Sequence, residues 1–530
     1  MNLFAGTGSL IRLALRRDRI RLAIWILLLA VLPVITAASF AELYPEAAAR
    51  EQIAATLGSS PAIGVLLGPL YSSSIGGLTA WRLAVPASLL IALMTSFTVV
   101  RHTRAEEEAG RSDLLGANVV GRRAPLTAAL VVAVGASVVA AAVAAGGLVA
   151  ADLPVSGALA FGAAMAAAGV VFSAVAAVAA QLWHGSSAAR GAAVGVLGIS
   201  FMLRAAGDST SGVEWLSWIS PLGWSQRLRA FGDERWWVLA IPLVVGLILV
   251  ATAFVLSTRR DVGSGILATK PGPEAAAASL RSPLALAWRL HKGALIGWII
   301  GFVGLGTVMG TSATTFADLF AESPELARLV EQLGGEEGLA DAYISAMLGV
   351  FAIVASAYGI QAALRLRTEE TVGRASPLLA TAVPRWRWEG SHLVFALLGP
   401  VLLLLVGGLA IGVAYGISID DIGGTVVDTL GGALVQLPAV WVLSGLAAAL
   451  FGVAPRFTLL AWGALVVVFL LGQLGPILQL DQWVLDMSPF THVPQVPGGE
   501  VTATPLLWLG AVAAGLTLIG FAGFARRDVG

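Results

Sequence analysis

Long apolar runs, each broken by a short polar stretch, succeed one another along the whole chain. They fall near residues 22–40, 81–100, 126–150, 156–182, 191–206 and 236–257. A second set falls near 294–314, 342–364, 392–415, 430–453, 457–475 and 505–525. A helix rises about 1.5 Å per residue, and roughly 20 apolar residues cross the hydrocarbon core of a bilayer. The pattern predicts an all-α integral membrane protein of about twelve transmembrane helices. The fifth run of each set is short. The stretches after it, 207–235 and 476–504, mix polar residues with Trp215, Trp218, Trp224 and Trp483, a composition suited to the membrane interface. They are expected as re-entrant or interfacial outer segments.

Composition sharpens this reading. Hydrophobic residues make up 57% of the 530 positions and charged residues 12%, with a mean hydropathy of +0.86. Soluble domains carry about 25% charged residues, and no single soluble core of this length hides so much apolar surface. Arg12, Arg16, Arg17, Arg19 and Arg21 precede the first run, which is long enough to span and lacks a clear cleavage site after it. It is therefore expected to be a span and not a cleaved leader. Cysteine is absent, which excludes disulfides, thiolate metal sites and a cysteine nucleophile, and the five histidines form no metal-ligand pair. Zero net charge gives no reason to expect nucleic acid as a partner.

Charge placement sets the expected orientation. Most of the 32 Lys and Arg fall at 12–21, 101–123, 259–292, 365–387 and 526–527, all on one side of a twelve-span model. Glu322, Glu325, Glu331, Glu336, Glu337 and Asp341 fall on the other. Positive loops stay inside, so both termini are expected in the cytoplasm of a bacterium, with the chain in its plasma membrane and surrounded by membrane lipids.

The chain also repeats. Arg259-Arg260-Asp261-Val262-Gly263 recurs as Arg526-Arg527-Asp528-Val529-Gly530, each copy directly after a sixth span. Arg16 and Trp25 match Arg289 and Trp298, and Trp215 with Ser220-Pro221 matches Trp483 with Ser488-Pro489. Six spans is an even number, so both halves share one orientation, a parallel repeat. The expected division is a first half at 1–263, a cytoplasmic linker at 264–283 broken by Lys270-Pro271-Gly272-Pro273, and a second half at 284–530.

The loop after the second span carries the most informative copy. Glu106, Glu107, Gly110 and Arg111 match Glu369, Glu370, Gly373 and Arg374. Glu107 and Arg111 are four apart with the acid first, as are Glu370 and Arg374, which predicts a short helix held by i,i+4 ion pairs. One such segment is ordinarily a solvated helical loop. Two at equivalent positions suit docking to a two-fold symmetric cytoplasmic partner.

The E-E-x-x-G-R-x-x-x-L-L pattern, which ends at Leu115 and at Leu379, resembles the coupling segment of type-2 ATP-binding-cassette (ABC) export permeases. The R-R-D-V-G endings and the duplicated six-span layout resemble more narrowly the actinobacterial "exporter of polyketide antibiotics" branch. The second copy departs from the first, with Thr371 for Glu108 and Pro377 for Leu114, which implies weaker or differently shaped docking there. The resemblance implies an amphipathic cytoplasmic helix opening each half, at 9–21 and 282–292. It also implies a substrate cavity between the halves, lined mainly by second and fifth spans.

No P-loop is present: neither lysine, Lys270 or Lys292, follows glycine with Ser or Thr after it. The chain is thus expected to bind no cofactor and to catalyse nothing itself. Two copies of a separate ABC ATPase subunit would hold ATP and Mg. No acid lies near the middle of a predicted span, unlike most ion-coupled carriers. Gln181, Gln361 and Gln436 are the polar exceptions, expected as interhelical hydrogen bonders. Phe97, Phe201, Met202 and Gln361 are the candidate substrate contacts, although such residues more often pack or face lipid. The expected function is export of hydrophobic, antibiotic-like molecules. The alternatives are a major-facilitator-like secondary transporter, an ABC exporter of a cell-envelope lipid, and a membrane-embedded enzyme.

Overall fold

Apolar runs without a partner sheet or a soluble core fold as helices, because each helix satisfies its own backbone hydrogen bonds within the bilayer. The computed structural model describes residues 3–59, 67–111, 120–209, 212–261, 263–267, 274–277, 280–321, 335–474, 481–499 and 501–528. Among these residues there is no strand, and eleven helices are long and apolar enough to cross a membrane. The chain forms two compact units, Met1–Gly272 and Pro273–Gly530.

The first unit contains α1 (Thr7–Leu43), α2 (Ala47–Ser59), α3 (Ile75–His102), α4 (Arg104–Glu108), α5 (Ala124–Ala150), α6 (Val155–Leu182) and α7 (Ser186–Ser209). Two short helices, α8 (Trp215–Ile219) and α9 (Pro221–Arg227), lead to α10 (Ala240–Thr258). Helix α1 packs on α5 and α3, α3 on α6, and α6 on α5, α7 and α10. The shared core runs through Leu22, Leu29, Ile91, Met94, Phe161 and Met165, all nearly inaccessible. Helices α8 and α9 fold back onto the bundle, with α9 against α3, α6 and α7. The Ser220 hydroxyl caps α9 by accepting from the Gly223 amide, and it also donates to the Ser200 carbonyl on α7 at 2.6 Å.

The second unit repeats this order. It contains α11 (Pro283–Ala321), α12 (Gly335–Ala363), α13 (Arg365–Thr371), α14 (Ala375–Leu379), α15 (Arg385–Ile419), α16 (Ile422–Val435), α17 (Leu437–Val453), α18 (Leu459–Leu474), α19 (Gln482–Leu485) and α20 (Ala503–Arg526). Helix α11 packs on α15 and α12, and α17 packs on α20 and α12. The α17–α20 seam is tight: a Cβ on Gly452 would lie 2.0 Å from the Gly520 carbonyl oxygen. Small residues let the two backbones touch, as in helix pairs within lipid. Ser488 repeats the role of Ser220, its hydroxyl accepting from the Phe490 amide at the turn that follows α19.

Three expectations change. The amphipathic stretches 9–21 and 282–292 are not separate helices. They are the first turns of α1 and α11, helices of 37 and 39 residues, because no proline stands between either stretch and the apolar run after it; the proline inside α1 is Pro33, well within that run. The predicted span 457–475 is α18, whose described part, Leu459–Leu474, is shorter than the eleven candidate spans, and the residues that follow it lie outside the described ones. Residues 264–267, assigned to the linker, are pinned to the first unit. The Ile266 and Leu267 amides donate to the Gln181 and Leu182 carbonyls at 3.1 and 2.9 Å. Most of the acidic stretch 318–341, the breaker 270–273 and the Leu114-Leu115 end of the first motif lie outside the described residues.

Large apolar side chains point outward along the rods, among them Leu247, Leu459, Leu507 and Trp508. A water-soluble surface does not carry apolar patches of that extent, whereas hydrocarbon solvates them.

Candidate functional site

The E-E-x-x-G-R motif is a helix ending. Helix α4 stops at Glu108, and Gly110 adopts φ 68°, its amide donating to the Glu107 carbonyl at 3.0 Å. Helix α13 stops at Thr371, and Gly373 adopts φ 76°. There the Gly373 amide donates to the Glu370 carbonyl and the Arg374 amide to the Glu369 carbonyl, both at 2.9 Å. These are the two bonds of a Schellman cap, with glycine at the left-handed position that other residues enter only at a cost.

The cap explains why the expected i,i+4 pairs do not form. The chain turns before Arg111 and Arg374 reach the next helical level. Arg111 pairs instead with Glu106, at 2.8 and 3.2 Å, and Arg374 lies 3.8 Å from Glu369. That hydrogen bond to Glu106 pushes the Arg111 guanidinium above its ordinary pKa. Both arginines are about half exposed, at 52% and 55%.

Glu107 and Glu370 face the other way, into the unit. The Glu107 carboxylate accepts from Arg104 at 2.7 Å and takes two bonds from Arg260, at 2.9 and 2.6 Å. Glu370 accepts from Arg367 at 3.2 Å and takes two bonds from Arg527, both at 2.8 Å. The second arginine of each R-R-D-V-G copy thus grips the second glutamate of each E-E-x-x-G-R copy. Each junction ties the short helix after the second span to the end of the sixth. The Arg260 contact is bidentate, the strong, geometrically specific kind, whereas Arg527 reaches both Glu370 oxygens through Nη2 alone.

Neighbouring arginines reinforce the same joint. Arg122, just before α5, donates to the Ser257, Thr258 and Arg260 carbonyls that end α10. Arg385, at the start of α15, donates to the Ala525 and Arg527 carbonyls that end α20. In each unit a cation thereby satisfies carbonyls that a helix C-terminus leaves unpaired.

The two junctions differ in what surrounds them. Arg260 also bonds the Gln181 side chain at 2.7 Å and the Ser264 carbonyl at 3.1 Å. Arg527 instead lies over the rings of Phe451 and Phe524, 4.8 and 5.3 Å from their centroids. Beside the first junction, buried Asp18 pairs with Arg101 and His102, and Arg17 reaches Glu106. Beside the second, His291 and His392 bond to each other at 3.0 Å, and Glu389, fully buried, has neither carboxylate oxygen partnered.

A family model described as the C-terminal domain of the multidrug efflux system permease Rv1217c matches residues 280–525. Over 527 residues, 99% of this chain and 96% of the relative, the sequence is 45% identical to the multidrug efflux system permease protein Rv1217c of Mycobacterium tuberculosis. The chain belongs to this permease family.

The candidate substrate contacts have different surroundings within their own units. Phe201 packs inside the first unit with Ala92, Phe172, Leu197 and Leu222, under the Arg204 guanidinium. Met202, one residue on, is 53% exposed, and Phe97 is 39% exposed. Gln361 accepts from the Trp298 indole at 3.1 Å, linking α12 to α11 as an interhelical bond. Gln181 links α6 to Arg260 in the same sense, but Gln436 leaves its buried side-chain oxygen without a partner. Sequence reasoning missed Arg104, Arg260, Arg367 and Arg527 as partners of the glutamates. The signal was present: opposite charges duplicated together, each pair kept at nearly the same spacing in both halves.

Proposed function

We propose that this permease is the membrane subunit of an ATP-driven exporter that moves hydrophobic, drug-like molecules out of the cell. Two copies of a cytoplasmic ATPase would dock on it, one at each Glu–Arg junction, and would carry ATP and Mg. Both termini would then face the cytoplasm, at the membrane side where positive loops stay. The observation that carries this reading is the doubling of one joint. Each unit presents a half-exposed arginine, Arg111 or Arg374, on a capped turn whose inner glutamate is locked to the end of the sixth span. A push on the turn passes through that lock to a whole membrane helix. The efflux permease of Mycobacterium tuberculosis named above supports drug-like molecules as the solute.

The test is coexpression with a candidate ATPase in a drug-sensitive bacterium. Resistance to hydrophobic macrocyclic compounds should rise, and resistance to small hydrophilic compounds should not. ATP hydrolysis by the purified complex should respond to the same compounds. Stimulation by lipids alone, with unchanged drug accumulation in cells, would rule out drug export. A tag at position 330 should be reached from outside intact cells, and labelling only after lysis would overturn the orientation.

A further inference from the structure

The repeat aligns Arg16 with Arg289, so Arg17 and Asp18 on α1 correspond to Leu290 and His291 on α11. It aligns Glu106 with Glu369, so Arg101 and His102 at the end of α3 correspond to Leu364 and Arg365. Where the first half sets an acid opposite Arg101 and His102, the second has a histidine and an arginine. A histidine, neutral or cationic, cannot form an ion pair with an arginine.

The first unit uses its acid fully. Asp18 is 1% exposed, yet each carboxylate oxygen has a partner. Oδ2 accepts from His102 Nε2 at 2.7 Å, and Oδ1 lies 3.0 Å from Arg101 Nε. The preceding residue, Arg17, reaches Glu106 on α4 at 3.0 Å, and Glu106 also accepts from Arg111 beyond the glycine cap. Two successive residues thereby tie the first span to the end of the second and to the capped turn.

The second unit joins its first span elsewhere. His291 and His392, 4% and 2% exposed, bond to each other and link α11 to α15. The His291 ring also stacks on Phe395 of α15, 4.8 Å between centroids. Arg365 turns to Glu369 on its own helix at 2.9 Å. Among the described residues no ion pair joins α11 to α13 or to the turn after it. The first span of this unit is thus fastened to the third span and not to the turn.

We propose that the two docking turns are geared differently: Arg17 and Asp18 are positioning residues that carry α1 with the first turn, whereas α11 does not follow the second. This rests on the reading that the ATPase docks at these turns. Displacing the first turn then reaches the first span through Arg17 and Asp18 and the sixth through Arg260. Displacing the second reaches the sixth span through Arg527. Ion pairs joined to rigid helices are the kind of contact that carries coupling between distant sites.

The chain has no cysteine, so labels can be placed without removing any native thiol. Spin labels on Leu15→Cys with Ala109→Cys report the span-to-turn distance in the first unit. Trp288→Cys with Val372→Cys, the corresponding exposed positions, report it in the second. Measured by electron paramagnetic resonance on the full chain in nanodiscs, the first pair should give a narrow distance distribution and the second a broader one. Asp18→Asn, which removes the charge and keeps the shape, should broaden the first distribution and leave the second as it was. Arg17→Gln, nearer the surface, should have a smaller effect of the same kind. In the complex with the ATPase, Asp18→Asn should lower drug transported per ATP hydrolysed roughly fivefold or more, the scale of an ordinary coupling between sites, and His291→Gln should lower it less than about twofold. A merely structural role for Asp18 would lower the melting temperature and reduce transport and hydrolysis together, with their ratio unchanged, and that result would overturn the proposal. So would equally broad distributions in the two unaltered clamps, an unchanged first distribution in a folded Asp18→Asn, or an equal fall in the ratio for Asp18→Asn and His291→Gln. A complex without drug-stimulated hydrolysis before any clamp residue is changed would count against the docking reading instead, and the label distances would still decide the clamp.

Discussion

Arg260 holds both carboxylate oxygens of Glu107, at 2.6 and 2.9 Å, across 153 positions of sequence. Both side chains are largely buried, at 8% and 14% exposure. Removing one partner from a buried pair strands the other charge, at a cost of about 3–5 kcal/mol. Glu107→Lys and Arg260→Glu should therefore each lower the melting temperature of the purified permease sharply. The exchange E107R/R260E should recover part of the loss. Wild-type melting of either single reversal would show that the pair does not hold the sixth span.

Arg111 and Arg374 make the contrasting case. Their ion pairs are half exposed, so Arg111→Ala and Arg374→Ala should each cost no more than about 1 kcal/mol of stability. If these turns receive the ATPase, the double variant should still fold yet lose drug-stimulated ATP hydrolysis and transport. Full transport in that variant would place the docking face elsewhere.

Gly110 and Gly373 end their helices at φ 68° and 76°. A side chain in that region costs about 1–2 kcal/mol, so Gly110→Ala and Gly373→Ala should each destabilise by that amount in denaturant unfolding. Asparagine, which tolerates the left-handed region, should cost less. Equal effects of alanine and asparagine would show that something other than backbone conformation sets the cost.

Glu389 should be replaceable at a gain. Arg122 and Arg385 perform the same capping in the two units, and four residues on stand Leu126 and Glu389. Leu126 is packed and Glu389 is fully buried with both carboxylate oxygens unpartnered. An orphaned buried polar group costs about 1–3 kcal/mol, so Glu389→Leu should raise the melting temperature. A fall would mean that the carboxylate supports nearby Arg527.

The spans were legible because the bilayer demands long apolar runs and almost nothing else in a protein produces them. Their limits were less so. Residues 9–21 look amphipathic, but helical chemistry continues unbroken from them into α1. The Glu107–Arg111 pairing failed because a spacing of four brings side chains together only while the helix lasts, and Gly110 ends it. Phe201 and Met202 were chosen by residue type, yet adjacent helical positions point about 100° apart, so one is packed and the other exposed.

The unequal settings of Arg260 and Arg527 carry a further consequence. One clasp is flanked by an amide and backbone carbonyls, the other by two phenyl faces. Groups that hydrate readily compete for a guanidinium in a way that aromatic faces do not, so salt and heat loosen the two clasps by different amounts. A homodimer has two identical clasps and no basis for choosing between them. In a chain with two dissimilar ones, one clasp is expected to loosen before the other as salt or temperature rises.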